Sequence, residues 1–176
     1  MTTQISELNL ETLANAFFKA SAGSWRSQRR YYTLKSGDTQ EVLSLLTVEP
    51  LAQGSDELRQ LARKHDLTDE AALVCGVLTT WDSNYIGPGA KQTSGSTVFG
   101  VKGNQLYRDR GFSSSKPIIA QFSMRDTETM CLRTEYSGNV FEEEVKIIGQ
   151  QYRTRQTIIS RAGEEVMIGQ YLETRV

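Results

Sequence analysis

The sequence predicts an all-β fold, an antiparallel up-and-down barrel of about ten strands with an N-terminal helix and a second short helix. Three observations support this prediction. Short strand-like runs fill most of the chain, turn residues separate them at short intervals, and only two segments show helical periodicity. A long series of antiparallel strands has to hide its edges, and closure into a barrel removes them. A two-sheet sandwich is the alternative.

Two segments have the apolar spacing of amphipathic helices. From Ser6 to Ala20, apolar residues recur at steps of three and four, with Ser6 or Asn9 as the N-cap. From Ser55 to about His65, one face is apolar and the other is charged. A barrel of this size can enclose one small ligand, and the first helix is suited to plugging one of its ends.

The remaining chain reads as strands joined by short turns. The predicted strands are Trp25–Leu34, Glu41–Glu49, Ala72–Asp82, Ser96–Val101, Gln105–Arg110, Ile118–Met124, Met130–Tyr136, Val140–Ile148, Tyr152–Ile159 and Glu165–Glu173. The segment from Asn84 to Ser96 is rich in Gly, Ser and Pro. We therefore expect a mobile loop there.

Composition predicts a single domain over residues 1–176, since this length suffices for one sizeable core. The 20 Lys and Arg residues nearly balance the 21 Asp and Glu residues, and a net charge of -1 gives no global field for nucleic acid or an anionic membrane. The longest apolar runs fall far short of the ~20 residues of a membrane-spanning helix. We expect a soluble protein.

The cysteines and the N-terminus predict a cytoplasmic protein without a metal site. No secretory signal pattern opens the chain, and Cys75 and Cys131 lie in apolar or strand-like runs where free thiols pack. His65 is the one histidine of the sequence, so no Cys/His cluster is available for zinc or haem. The chain also lacks a nucleophile elbow and a Walker-type loop, which disfavours hydrolase and nucleotide-binding functions.

Arginines and aromatic residues within strands are candidates for lining a cavity. Period-two alternation puts Trp25 and Arg29 on one face of their strand and Arg30 and Tyr32 on the other, so one arginine points inward. The same alternation puts Arg153 and Arg155 on a shared face, but the hairpin register decides which face that is.

A three-residue loop from Ile148 to Gln150 is the favoured connection before these two arginines. It places Arg153 opposite Val145 and Arg155 opposite Glu143, whereas a two-residue loop would pair Arg153 with a lysine. Both arginines then share the apolar face of the hairpin. Buried guanidinium groups need anionic partners, and a dicarboxylate ligand would supply them.

Each candidate also has a purely structural interpretation. The two arginines can pair with the glutamates at positions 142–144 on a solvated sheet face. Trp25 and Trp81 are typical of a core, and Asp82 is typical of a turn. The glutamate run itself can be a partly exposed face or a partner contact.

Several motifs, in their order and spacing, carry a family resemblance over nearly the whole chain. They are residues 17–29 (FFKASAGSWRSQR), Val74-Cys75-Gly76 running on to Trp81-Asp82, residues 95–98 (GSTV), residues 108–112 (RDRGF), residues 134–136 (TEY) and Arg153-Thr154-Arg155. With these motifs the sequence resembles the S-type phycobiliprotein lyases, the CpcS/CpeS family of chromophore lyases in cyanobacteria and their relatives.

The resemblance implies a lipocalin-like, fatty-acid-binding-protein-like barrel that binds a linear tetrapyrrole such as phycocyanobilin without a covalent bond. It further implies that the bilin is delivered to a cysteine of a phycobiliprotein subunit, with no catalytic side chain that becomes covalent and no cofactor besides the bilin substrate. Arginine pairs with propionate, so the resemblance assigns bilin binding to several positions. The bilin-binding residues predicted from the resemblance and the strand pattern are Arg29, Trp81, Asp82, Arg153, Arg155, Trp25 and Tyr32.

Some positions depart from the family's pattern. Tyr32-Thr33 and Lys146-Ile147 stand where members active alone carry histidines and aromatic residues, and Gln170–Arg175 resembles the branch that works as half of a heterodimer. The expected partners are thus a phycobiliprotein acceptor and either a second copy or a related S-type subunit. A non-catalytic pigment carrier or an accessory subunit of a heterodimeric lyase is the alternative function.

Overall fold

The structure, a computed structural model, describes residues 2–111 and 115–176. Two helices and ten strands follow one another in this part of the chain. They are α1 (Thr2–Ala20), β1 (Gly23–Thr33), β2 (Thr39–Ala52), α2 (Asp56–Lys64), β3 (Cys75–Ile86), β4 (Gln92–Lys102), β5 (Gln105–Arg108), β6 (Ile118–Asp126), β7 (Thr129–Tyr136), β8 (Asn139–Ile148), β9 (Tyr152–Arg161) and β10 (Glu164–Arg175).

The strands close into one antiparallel barrel, which confirms the predicted fold and excludes the sandwich. Each strand pairs with its neighbours in sequence, and β1 pairs with β10 to complete the ring. The closing register runs from Trp25 opposite Arg175 to Thr33 opposite Met167. Because every described strand has two neighbours, none presents an unpaired edge.

The helix α1 plugs one end of the barrel, as its amphipathic pattern predicts. Ala14, Phe17 and Phe18 are buried and pack against apolar residues of the barrel wall. The guanidinium of Arg175 donates to the carbonyl oxygen of Ala20 at 2.9 Å and also to that of Ala22. A cation beside the carboxyl end of a helix is favourable because the last carbonyls carry partial negative charge.

The predicted loop from Asn84 to Ser96 is mostly strand. β3 continues to Ile86 and β4 begins at Gln92, where Gln92 stands opposite Asn84. Only residues 87–91 form the turn. The polar, glycine-rich composition suggested a loop, but cross-strand pairing in a long hairpin overrides it.

Packing explains why a glycine occurs within β4, which composition alone does not reveal. A Cβ atom at Gly95 would lie 2.7 Å from Cζ2 of Trp81, the residue opposite on β3. Such a close approach is typical of glycine in a strand interior.

The short helix α2 packs on the outside of the barrel. Its apolar face buries Leu58, Leu61 and Ala62 against Leu73 and Tyr107 in a second, smaller core. No helix among the described residues is long and apolar enough to cross a membrane.

Candidate binding site

The barrel encloses a cavity of about 370 Å³. Phe17 and Phe18 of α1 form part of its floor, and inward side chains of the strands form its wall. The strand order places the turns after β1, β3, β7 and β9 at the opposite end, together with the segment after β5. We call that end the mouth.

Alternation along β1 decides which of its arginines enters the cavity. Arg29 and Tyr31 line the cavity, whereas Arg30 is exposed and pairs with Glu41 on the outer face. The predicted presence of one inward arginine on this strand is confirmed.

The β8–β9 register differs from the prediction by two residues. The loop is 149–151, so Arg153 stands opposite Ile147 and Arg155 opposite Val145. The predicted partners, Val145 and Glu143, are therefore wrong. A slip of two residues keeps every side chain on its own face, and both arginines do face inward with the apolar residues.

Arg155 forms an ion pair inside the barrel. Its Nε lies 3.0 Å from Oε2 of Glu143, and its Nη2 donates to the same oxygen. Burial alone would lower the pKa of Arg155, but the Glu143 carboxylate raises it above the usual value. Glu142 and Glu144 point outward and pair with Arg133 and Arg125, so the glutamate run divides between the two faces.

Arg153 is bound to a carboxylate that the sequence pattern did not reveal. Its Nε donates to Oε1 of Glu173 at 2.7 Å, and Glu173 is 1% exposed. Burial would raise the pKa of Glu173, but the charges of Arg153 and Arg155 hold it below the usual value. Arg153 was expected to pair with a carboxylate of the ligand, but Glu173 of the chain is its partner. Because Tyr171 faces inward, strand alternation places Glu173, two residues later on β10, on the same inner face. The sequence could therefore have identified Glu173 as a candidate partner.

Aromatic rings and guanidinium groups alternate across the wall formed by β1, β10 and β9. Cζ of Arg29 lies 4.8 Å and Cζ of Arg155 lies 5.8 Å from the ring centroid of Tyr171. The Tyr171 hydroxyl donates to the Tyr31 hydroxyl at 3.1 Å, and burial raises the pKa of Tyr171. Gly169 leaves room for both rings, since a Cβ there would lie 3.2 Å from Tyr171 Cε1.

Two further arginines reach the cavity from the region of β5. Cζ of Arg108 lies 5.0 Å from the ring centroid of Phe99, and Cζ of Arg110 lies 5.6 Å from that of Trp81. Burial lowers the pKa of Arg108 to about 10, so the group is charged at neutral pH. Both residues line the cavity. They belong to the RDRGF motif, but strand alternation did not identify them as ligand contacts.

The comparison with known proteins adds the family. Residues 14–176 match the family model described as CpeS-like protein. The chain belongs to the CpeS-like family.

Curated relatives cover most of the chain. It is 56% identical over 160 residues to a protein of Nostoc sp. strain PCC 7120 with the provisional name phycocyanobilin lyase CpcS 2, covering 91% of this chain and 89% of that one. It is 48% identical to a protein of Picosynechococcus sp. strain PCC 7002, provisionally named chromophore lyase CpcV, covering 93% and 81% of the two chains. It is 32% identical to the chromophore lyase CpcS/CpeS of Thermosynechococcus vestitus, covering 84% of both.

A solved structure supports the fold. The S-type phycobiliprotein lyase CPES from Guillardia theta superposes with a TM-score of 0.78 and 21% identity, covering 100% of this chain and 98% of that one. The CpeS-like chain therefore shares the barrel of that protein.

Three of the predicted bilin-binding residues lie elsewhere than expected. Asp82 is exposed on the outer face because Trp81, its neighbour on β3, takes the inward position. Tyr32 lies on the outer face for the same reason, since Tyr31 points inward. Trp25 is fully buried in the core below the cavity, where its indole nitrogen donates to the Ser21 carbonyl at 2.9 Å. Adjacent residues of a strand point to opposite faces, so two neighbours cannot both enter the cavity. The expected cavity positions of Asp82 and Tyr32 are therefore wrong.

Proposed function

We propose that this protein is a chromophore lyase that binds a linear tetrapyrrole, such as phycocyanobilin, and promotes its thioether attachment to a cysteine of a phycobiliprotein subunit. The observation that carries the proposal is the charge of the interior. Five arginines and one glutamate are found among the described side chains that line the cavity, and Glu173 is buried beside them, so positive charge is in excess around the cavity. Relatives with 56% and 32% identity are named phycocyanobilin lyase and chromophore lyase.

The residues around the cavity match the chemistry of a bilin. A linear tetrapyrrole joins a flat conjugated chain to two propionate groups. Forked guanidinium groups bind carboxylates through two hydrogen bonds, which suits Arg29 and Arg155 to the propionates. Trp81, Phe99 and Tyr171 offer aromatic surfaces to the pyrrole rings. Arg153 pairs with Glu173 and its side chain is 9% exposed, against 25% for Arg155, so we assign Arg153 to the strand rather than to the pigment.

The lyase orients the bilin while the acceptor supplies the nucleophile. The acceptor thiol adds across the ring A ethylidene double bond, so a carbon–sulfur bond forms and the thiol proton is taken up by the conjugated system. Holding the bilin in one conformation raises the rate and suppresses wrong stereochemistry. Cys75 is unsuited to this nucleophilic role, because it is buried and burial raises the pKa of its thiol to about 12.

The proposed partners are a phycobiliprotein acceptor subunit and either a second copy of this chain or a related S-type subunit. The outer faces of β2, β3 and β10 expose Leu45, Ile86 and Leu172, which offers apolar area for a protein contact. We place this activity in the cytoplasm, where acceptor thiols stay reduced.

A two-step experiment tests the proposal. Purified protein is mixed with phycocyanobilin, and the visible absorption band is followed for a shift on binding. Apo-phycobiliprotein is then added, and an acid-stable, zinc-fluorescent adduct is expected. Binding without transfer, even with a related S-type subunit present, would contradict the lyase and support a pigment carrier.

A further inference from the structure

Arg108 occupies a fixed position on the cavity wall. It ends β5, it is 8% exposed, and its guanidinium lies over the ring of Phe99. Outside the barrel, Nε2 of His65 lies 2.8 Å from the carbonyl oxygen of Arg108 and therefore donates to it. His65 also packs edge-on against Tyr107, with ring centroids 4.9 Å apart. The backbone of Arg108 is thus held by a residue that never enters the cavity.

The wall that carries Arg108 faces the wall that carries Arg29 and Arg155. In the closed ring of strands, β5 lies halfway round from β10. Arg29 and Arg155 flank Tyr171 of β10, while Arg108 stands against Phe99 of β4. Positive groups therefore border the cavity on two sides, and aromatic rings lie beside each of them.

The carboxylate charge near these walls comes from Glu173 and Glu143, and Glu143 acts on both Arg155 and Arg108. Glu173 pairs with Arg153 and Glu143 pairs with Arg155. Burial lowers the pKa of Arg108, and the charge of Glu143 offsets this only in part. Carrying a guanidinium into a protein interior costs free energy, which an anion that approaches through the cavity would offset.

We infer that Arg108 binds one carboxylate of the ligand while Arg29 and Arg155 bind the other, so that the site selects ligands with two carboxylates. The inference rests on the proposed function and adds a binding residue and a selectivity to it. The linear tetrapyrrole spans the cavity between the two walls, with one propionate at each. Arg108 is then a specificity-determining residue that contacts the substrate directly.

The test compares phycocyanobilin with its two monomethyl esters and its dimethyl ester by absorbance titration. Charged hydrogen bonds contribute about 1.5–3 kcal/mol, so loss of either carboxylate is expected to weaken binding about tenfold or more. Arg108→Gln is expected to lower the affinity for the diacid about tenfold and to leave the affinity for the dimethyl ester within about twofold. Arg133→Gln, on the outer face of β7, is the matched control and should change neither.

Three results would overturn the inference. One is a monoester that binds wild-type protein as tightly as the diacid, because a single carboxylate would then suffice. The second is unchanged diacid binding in a natively folded Arg108→Gln protein, and the third is an equal loss for the diacid and the dimethyl ester. If Arg108→Gln does not fold, the ester series on wild-type protein decides alone. Wild-type protein that binds no form of the pigment would instead refute the proposed function.

Discussion

Two regions of the barrel interior place their arginines in different surroundings. At the sealed end, around Trp25, the guanidinium groups of Arg153 and Arg175 bind oxygen atoms of the chain itself, the Glu173 carboxylate and backbone carbonyls. In the open half, Arg29, Arg108, Arg110 and Arg155 line the cavity, and Glu143, the partner of Arg155, is the carboxylate found among the described side chains that line it.

Residue type alone therefore does not assign a role to an arginine in this barrel. Arg153 and Arg155 lie on the same strand and face the same interior. The guanidinium group of each lies over an aromatic ring. Each is paired with a carboxylate of the chain, Arg153 with Glu173 and Arg155 with Glu143. What separates them is access to the cavity, since the side chain of Arg153 is 9% exposed and that of Arg155 is 25% exposed. The more exposed guanidinium can contact a ligand while it keeps its partner, whereas the enclosed one stabilises the fold.

The largest expected effect comes from breaking the pair at the sealed end. Glu173→Gln leaves the buried Arg153 guanidinium without its counter-charge, which typically costs 3–5 kcal/mol. We expect the free energy of unfolding in urea to fall by about 3 kcal/mol. Arg133→Gln, which removes an exposed ion pair, should cost less than about 1 kcal/mol. A Glu173→Gln protein as stable as the Arg133→Gln protein would contradict the structural role of the pair.

The same pair predicts a dependence of stability on pH. The pKa of Glu173 is lower in the folded protein than its usual value near 4.5, so its contribution is present above that pH and is lost as the pH falls toward the folded value. Urea unfolding of wild-type protein between neutral and acidic pH should therefore show a loss of stability that Glu173→Gln shows to a smaller extent. Parallel pH profiles for the two proteins would contradict this assignment.

A smaller effect is expected from Arg29 in the open half, where removal of the charge should affect the ligand more than the fold. Arg29→Gln is expected to lower the affinity for phycocyanobilin about tenfold, because a charged hydrogen bond to a propionate is lost. The change in unfolding free energy should stay below about 1 kcal/mol, since the side-chain partner of Arg29 Nε is the Ser27 hydroxyl at 3.1 Å. Arg26→Gln, on the outer face of the same strand, controls for loss of charge. Equal affinities of the two variants would show that Arg29 does not contact the pigment.

The sequence predicted the barrel well because its signals are local. Turn residues and strand alternation set the number and order of strands, and the helical period of α1 identified the plug. The predicted register of β8 and β9 was wrong because Gly149, Gln150 and Gln151 allow several turn geometries. Alternation still placed Arg153 and Arg155 on the inner face.

The binding site was predicted only in part because its key partners are distant in sequence. Glu173 lies 20 residues beyond Arg153, and closure of the barrel alone brings Arg108 into the same interior as Arg29. Asp82 and Tyr32 were expected at the cavity through resemblance or composition, and both lie on the outer face. Pairwise contacts across a barrel follow from register and closure, which a single sequence does not specify.

The smallest effect concerns the cysteines and tests whether the sealed end is closed. Cys75 packs against α1 residues, and burial raises the pKa of its thiol to about 12, whereas Cys131 is partly exposed. At pH 8 a thiol reagent should label one cysteine of the folded protein, Cys131. Phe17→Ala, which removes part of the plug, should make Cys75 reactive. Rapid labelling of Cys75 in the wild-type protein would show that the plug opens readily.

In the proposed complex, guanidinium groups of the open half hold the pigment by its carboxylates. The decisive measurement titrates phycocyanobilin into Arg29→Gln/Arg155→Gln protein and into the outer-face control Arg26→Gln/Arg133→Gln. We predict a loss of affinity of about a hundredfold for the inner pair and of less than about twofold for the outer pair. Natively folded inner-pair protein that binds phycocyanobilin as tightly as the outer-pair control would show that these arginines do not hold the pigment.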